Sequence, residues 1–345
     1  MAAGFRILVC AAGVAWQAAA PLATIQERLD RVKAELYSRT DRLNENVKEL
    51  KQILALDPRS ADGHLLLGIA YSTWGSKELK GEAVGEFRQA LDLNPRLVQV
   101  RFFLAHLYLD LGRAVRAREE LEAALAQTPG NPEFLALLGE SERQLKNPSR
   151  AVEVTRQALQ ADSTFAPARF YLGLALLDAG QRDEAIKELE QVVRAGAPVT
   201  DAYRALGSAY IEAGRTAEAI ETLSQGLRVD SASSEMRIAL ARAYRSQGRL
   251  EKADAQLTLG KPAFAKASAG KPNAASASSA DYPYQQVEID FHLERGMIKL
   301  QRGQLAAAAE AFQKVLALEP DHEAAIRELA EVNRRLRAKK PGGGR

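Results

Sequence analysis

The chain of 345 residues has a single cysteine, Cys10, so no disulfide can form within it. Only four histidines occur, His64, His106, His292 and His322, and they are too dispersed for an HExxH or a paired metal-ligand spacing. GxSxG is missing as well, so neither a nucleophile elbow nor a metal centre is legible, and no metal or cofactor is expected. Charge of one sign is also lacking. Lys and Arg number 47 against 44 Asp and Glu, and the resulting +3 is too small to imply a nucleic-acid partner. The apolar run from Ile7 to Trp16 falls short of the about 20 residues that a bilayer-spanning helix needs. The segment Ala265–Pro272 mimics a phosphate loop, but alanine replaces its first glycine and proline its metal-binding hydroxyl residue.

What the chain does have is periodicity. In Val98–Asn131 the apolar residues Phe102, Phe103, Leu104, Tyr108 and Leu111 recur at offsets of three and four, the mark of a helical face. Gly112 ends that run, since glycine tolerates the positive φ found just past a helix. Ala117, Leu121, Ala124 and Leu125 start the period again, and Pro129 closes it.

The same offsets recur along most of the chain. Leu104, Ala105, Tyr108, Gly112, Ala117, Leu121, Ala124 and Pro129 resemble the tetratricopeptide repeat, whose helix–turn–helix unit has a period of about 34 residues. The resemblance implies an all-α, right-handed superhelical solenoid of about eight repeats. It also implies that Ala105 meets Ala117 at close range, and that Ala124 makes room for the next unit. With 46% hydrophobic residues there is enough apolar material for a continuous core.

In chain order, residues 1–23 read as a signal peptide, with Arg6 before the apolar run and Ala18, Ala19 and Ala20 at the cleavage zone. That leader places the chain among exported bacterial proteins, periplasmic or secreted, with no transmembrane span once mature. Residues 24–60 read as a degenerate, charged N-terminal capping repeat, and 61–259 as six repeats. The repeat at 132–165 should be the softest, because Glu142 stands where an aromatic is usual and Thr155 replaces an apolar residue. Residues 260–281, rich in Ala, Ser, Gly, Lys and Pro, read as a disordered low-complexity insertion. A final repeat follows at 282–322, its pattern clearest from Ile289, then a capping helix at 323–339 and a disordered tail at 340–345. In that helix Ile326, Leu329, Ala330 and Leu336 are expected to point inward, with Arg327, Arg334, Arg335 and Arg337 outward.

No segment of catalytic-domain size is left over, so the chain reads as a non-enzyme: a scaffold or adaptor that binds protein segments in a concave groove. Two other readings are an envelope protein touching anionic surfaces through its basic C-terminal helix, and an accessory subunit of an envelope enzyme complex. RNA-binding repeats of similar period belong to basic proteins and match less well. Carrying over the family's inner-face positions gives Leu65 and Ile69, then Phe102, His106 and Leu109, then Phe170, Leu174 and Leu177. Next come Arg204, Ser208 and Ile211, and finally Ile238, Arg242 and Arg245. The chaperone-type carboxylate clamp of the family is not matched, because Leu65, Ile69 and Phe102 occupy its places. The groove should be apolar toward the N-terminal half and basic near Arg242 and Arg245, suiting an amphipathic or extended segment with an acidic end. Ala124→Leu is expected to open a repeat junction at a cost of about 1–3 kcal/mol, read as a lower urea midpoint.

Overall fold

The computed structural model describes residues 24–38, 42–74, 77–196, 199–260 and 282–339. The leader, the insertion apart from Gly260, and the tail lie outside the described residues. Among the described residues there are seventeen α-helices and no strand.

The chain divides into two compact units, Met1–Leu97 and Val98–Arg345. The first holds α1 (Ile25–Ser38), α2 (Leu43–Leu56), α3 (Ala61–Trp74) and α4 (Lys77–Leu93). The second begins with α5 (Val98–Asp110) and α6 (Ala114–Gln127), then α7 (Pro132–Gln144) and α8 (Pro148–Ala161). It continues with α9 (Ala166–Asp178), α10 (Arg182–Arg194), α11 (Thr200–Glu212), α12 (Thr216–Val229), α13 (Ser234–Ser246) and α14 (Leu250–Leu259). It ends with α15 (Tyr282–Gln301), α16 (Leu305–Leu318) and α17 (Glu323–Lys339). Each odd-numbered helix up to α15 packs against the even-numbered helix that follows it, and α16 packs in turn against α17.

The turn inside each pair is set by backbone chemistry. At the end of α5, Gly112 takes φ +67°, and the Arg113 N–H then donates to the Tyr108 carbonyl at 2.7 Å. That left-handed residue is what glycine supplies without a Cβ penalty. In the repeat from Pro132 a lysine does the same job: Lys146 sits at φ 62°. Asn131 starts α7 by accepting from the Glu133 and Phe134 amides at 2.9 and 3.2 Å, the usual relief for orphan helix donors.

Within a pair, small residues let the axes approach. A Cβ on Gly173 of α9 would lie 2.7 Å from Leu189 Cγ of α10, so only glycine fits there. Ala105, Ala117 and Ala124 are fully buried, and so are Leu104 and Leu121; Tyr108 is 1% exposed. In α7 and α8 the equivalent contact is Gly139 against Thr155, whose hydroxyl donates to the Ala151 carbonyl at 2.7 Å and so leaves no unpaired polar group. Glu142 is buried too. It accepts from Asn147 Nδ2 at 2.9 Å and lies 3.9 Å from Arg118 Nη1, so the position of the missing aromatic holds a polar link.

One local expectation needs correction. In α17 the inward residues are Ala325 and Val332, both fully buried, while Ile326 is 49% exposed and Ala330 is exposed as well. The buried stripe is displaced from the expected one because Val332 packs with Leu300, Leu305 and Phe312, flanked by half-buried Leu329 and Leu336. α15 begins at Tyr282, the expected start of the final repeat, seven residues ahead of the point where its pattern becomes clear. The added turns are held at one point by Gln285, whose side-chain amide donates to the Leu318 carbonyl at 2.9 Å.

A left-handed conformation costs a residue with a Cβ about 1–2 kcal/mol, while glycine loses about 0.5–1 kcal/mol more chain entropy on folding. Lys146→Gly should therefore stabilise the protein by up to about 1 kcal/mol. The check is urea denaturation followed by circular dichroism, where an unchanged or lowered midpoint would contradict the assignment of strain.

Candidate functional site: the first-helix face of the second unit

In the second unit the first helices of successive repeats are spatial neighbours: α7 packs on α5 and α9, α11 on α9 and α13, and α13 on α15. Residues of these helices that are not spent on their own second helix form one face. The candidate residues at 65 and 69 belong to the first unit, where Leu65 is half-buried and Ile69 is 8% exposed.

On α5, Phe102 is half-buried and His106 exposed, while Leu109 is buried. The Phe102 ring meets His106 edge-on at 5.2 Å and Phe134 of α7 at 5.9 Å. On α9, Leu174 and Leu177 are half-buried, whereas Phe170 belongs to the core with Ala202, Ala205 and Leu206 of α11. Ile238 is core in the same sense, packed with Leu257, Phe291 and Ile298. Leu109, Phe170 and Ile238 thus offer little surface to a partner, and Ile69 in the first unit offers as little. An apolar residue at an inner-face offset is used wherever the neighbouring first helix reaches it.

Between Phe102 and Leu174 the same offsets on α7 carry Ala136, Glu140 and Arg143, which the sequence reading passed over. Arg143 grips Glu140 with two bonds of 2.7 and 2.9 Å and reaches Asp178 of α9 at 3.1 Å. Glu140 is 8% exposed, and its field reaches both flanking helices. Burial pushes the Tyr171 hydroxyl up to about 12, and Glu140 adds to that. Partial desolvation lowers the proton affinity of His106, although its side chain keeps exposed surface, while Asp110 and Glu140 pull the other way.

The expected basic end is partly offset by one carboxylate that two arginines share. Glu294 of α15, 4% exposed, accepts a short bond from Arg245 Nε and one of 3.3 Å from Arg245 Nη2. It also lies 3.6 Å from Arg242 Nε. Nothing in the sequence flags Glu294 as a partner, because it lies 49 positions from Arg245, with the insertion between them. Arg204 is likewise paired, with Asp201 at 3.4 Å. Arg204, Ser208, Ile238 and Arg242 do come together, in a cleft of about 180 Å³ between α11, α13 and α15 that Glu235, Ala239, Val287 and Asp290 complete. On α17, Arg334 and Arg335 pair with Glu331 at 2.5 and 2.6 Å. Among the described residues no group of three or more His, Cys, Asp or Glu could hold a metal ion, and no helix is long and apolar enough to cross a membrane.

An all-α array of helix pairs with a shared first-helix face defines a helical-repeat protein of the solenoid class. Two tetratricopeptide repeat models match, one over residues 81–140 and 210–271, the other over 170–228 and 293–340, together more than half of the chain. The chain belongs to the tetratricopeptide repeat family. The crystal structure of the APC/C hetero-tetramer Cut9–Hcn1 is similar over 93% of this chain and 62% of that one, at 16% identity and a TM-score of 0.61. A tetratricopeptide repeat protein from Parabacteroides merdae matches over 74% of this chain and 98% of its own, at 17% identity and a TM-score of 0.55. These likenesses show the fold. A comparison with curated proteins finds no match.

Removing one partner of a fully buried ion pair costs about 3–5 kcal/mol. Arg242 and Arg245 keep some exposure, 39% and 18% of their side chains, so Glu294→Gln should cost less than that. The loss should appear as a lower melting temperature, and an unchanged one would show that Glu294 does not hold α15 to α13.

Proposed function

We propose that this protein is a non-catalytic adaptor that binds segments of other proteins on the first-helix face of its second unit. The supporting observation is a set of side chains that packing uses only in part. Phe102, His106, Leu174 and Leu177 sit on that face and keep exposed surface although their neighbours Leu104, Tyr108, Leu172 and Leu176 are buried. Surface apolar residues gathered on one face are the usual footing for a helical or extended segment. A family whose members are interaction scaffolds supports the same reading. The location we propose is outside the cytoplasm, periplasmic or secreted, on the strength of the leader at 1–23; cell fractionation with an antibody to the chain tests it.

The binding reading is tested by selection from a random dodecapeptide library displayed on phage, with the full chain as bait. Peptides should be enriched on the wild type and lost on Phe102→Asp combined with Leu174→Asp, with helicity by circular dichroism retained. Enrichment that survives this pair of changes would place binding elsewhere.

A further inference from the structure

We propose that His292 makes the final repeat acid-sensitive: one proton taken up from solvent by its buried ring loosens α15 from α16. In other repeats a cationic or imidazole side chain at this offset of the first helix meets a carboxylate on its own second helix. Arg101 reaches Glu120 at 2.5 Å, Arg169 reaches Glu188 at 2.8 Å, and His64 Nδ1 lies 2.6 Å from Glu86. The spacing is 19 residues in the two arginine pairs and 22 in the third. Nineteen residues after His292 stands Ala311, 4% exposed, so the carboxylate that would answer a charged ring is missing.

The surroundings of the ring suit its neutral form. Its side chain is 13% exposed, and Nε2 lies 3.9 Å from Glu288 of the same helix, beyond hydrogen-bond reach. Nδ1 is buried with no partner among the described residues. The ring borders a cavity of about 40 Å³ beside Ala307 and Ala311 of α16, room for about one water. The charged groups on that cavity are Arg295 and Lys299 of α15 and Glu310 and Lys314 of α16, the last two paired at 2.8 Å. Lys299 is drawn to Asp254 of α14 at 3.2 Å, and Glu294, toward α13, is held by Arg242 and Arg245. Burial first, then Lys314 and Arg295, push the His292 ring down from the ordinary 6.5 to about 4, against a smaller pull from Glu310.

Above pH 6.5 the ring is neutral whether α15 is packed or loosened, and packing keeps its full strength. As pH falls from 6.5 toward 4, the loosened form binds a proton that the packed form refuses, so packing weakens across that interval. A repeat at the end of a solenoid has a neighbouring repeat on one side only, so it can open without the rest.

The experiment is hydrogen exchange read by mass spectrometry on the full chain at pH 7 and pH 5, with protection corrected for the intrinsic pH dependence of exchange. In the wild type, protection of α15 and α16 should fall about tenfold or more between the two, while α11 and α12, which carry no histidine, change little. His292→Leu, which installs the residue found at this offset as Leu135, should abolish the fall. Ala311→Glu, which supplies the missing carboxylate, should shrink it. Equal protection of α15 and α16 at the two pH values in the wild type, or an undiminished fall in either variant, would overturn the proposal.

Discussion

The contact on which the rest of the structure depends is a small residue of one helix against a large residue of its partner. Gly173 faces Leu189, Gly207 faces Leu223, and Gly296 faces Phe312, each so closely that a Cβ would come within 2.5–2.8 Å of the opposing side chain. Close-packed interiors give little room for relaxation, so these contacts fix how near the paired helices lie. That distance in turn decides which residues of a first helix are spent on its own second helix. Leu172 and Leu176 are wholly spent in the core beside Gly173, whereas Leu174 and Leu177 pack at its edge and stay half-buried. The candidate site is thus the complement of the packing contact, and could not be moved by one residue without turning core outward.

Electrostatics follows from the same geometry. The chain as a whole is nearly balanced, yet its faces need not be. Arginine is long enough to reach a carboxylate on a neighbouring helix, as Arg143 does to Asp178 and Arg245 to Glu294, whereas Arg204 pairs with Asp201 of its own helix. Shorter acidic side chains reach less far, and Glu133 and Glu235, in the first turns of α7 and α13, have no ion-pair partner among the described residues. The balanced composition is matched by ion pairing along this face. Partly exposed pairs of this kind contribute modestly to stability, but they cancel charge at short range, which is what a docking segment would sense.

Much of the architecture was legible because each repeat restates the same constraint. Ala117, Ala151, Ala185, Ala219 and Ala253 recur at one offset, and all are fully buried. The site was less legible for two physical reasons. Whether Phe170 or Ile238 is surface or core depends on how far the next first helix leans onto it, which no offset within one repeat encodes. Whether Arg242 and Arg245 are free depends on Glu294, beyond the insertion. Ile326 was misplaced because the C-terminal helix packs on only one neighbour pair, so its amphipathic pattern alone left the register of the buried stripe open. Glu140 and Arg143, by contrast, were within reach, since they stand at the same offsets as His106 and Leu109.

The repeat at 132–165 is where local rules are most often broken, and the breaks share a direction. Lysine stands for the turn glycine, glutamate for an aromatic, threonine for an apolar residue, and Glu140 with Arg143 occupies the inner face. Each polar group is satisfied: Glu142 by Asn147, Thr155 by the Ala151 carbonyl, Ser141 by the Ala114 carbonyl at 2.8 Å, and Glu140 by Arg143 and Gln144. Satisfied buried networks cost little stability relative to unsatisfied ones, so the unit can retain its fold while surrendering apolar surface. The consequence lies on the first-helix face. Phe102 and Leu174 are separated by a charged pair, and an apolar segment laid along the face would have to bury Glu140 and Arg143 against carbon. Desolvating that pair without replacing its water contacts is unfavourable. On the proposed adaptor reading, a segment that spans both apolar patches would have to carry polar groups midway, and this repeat would be the part of the face that selects among otherwise similar amphipathic partners.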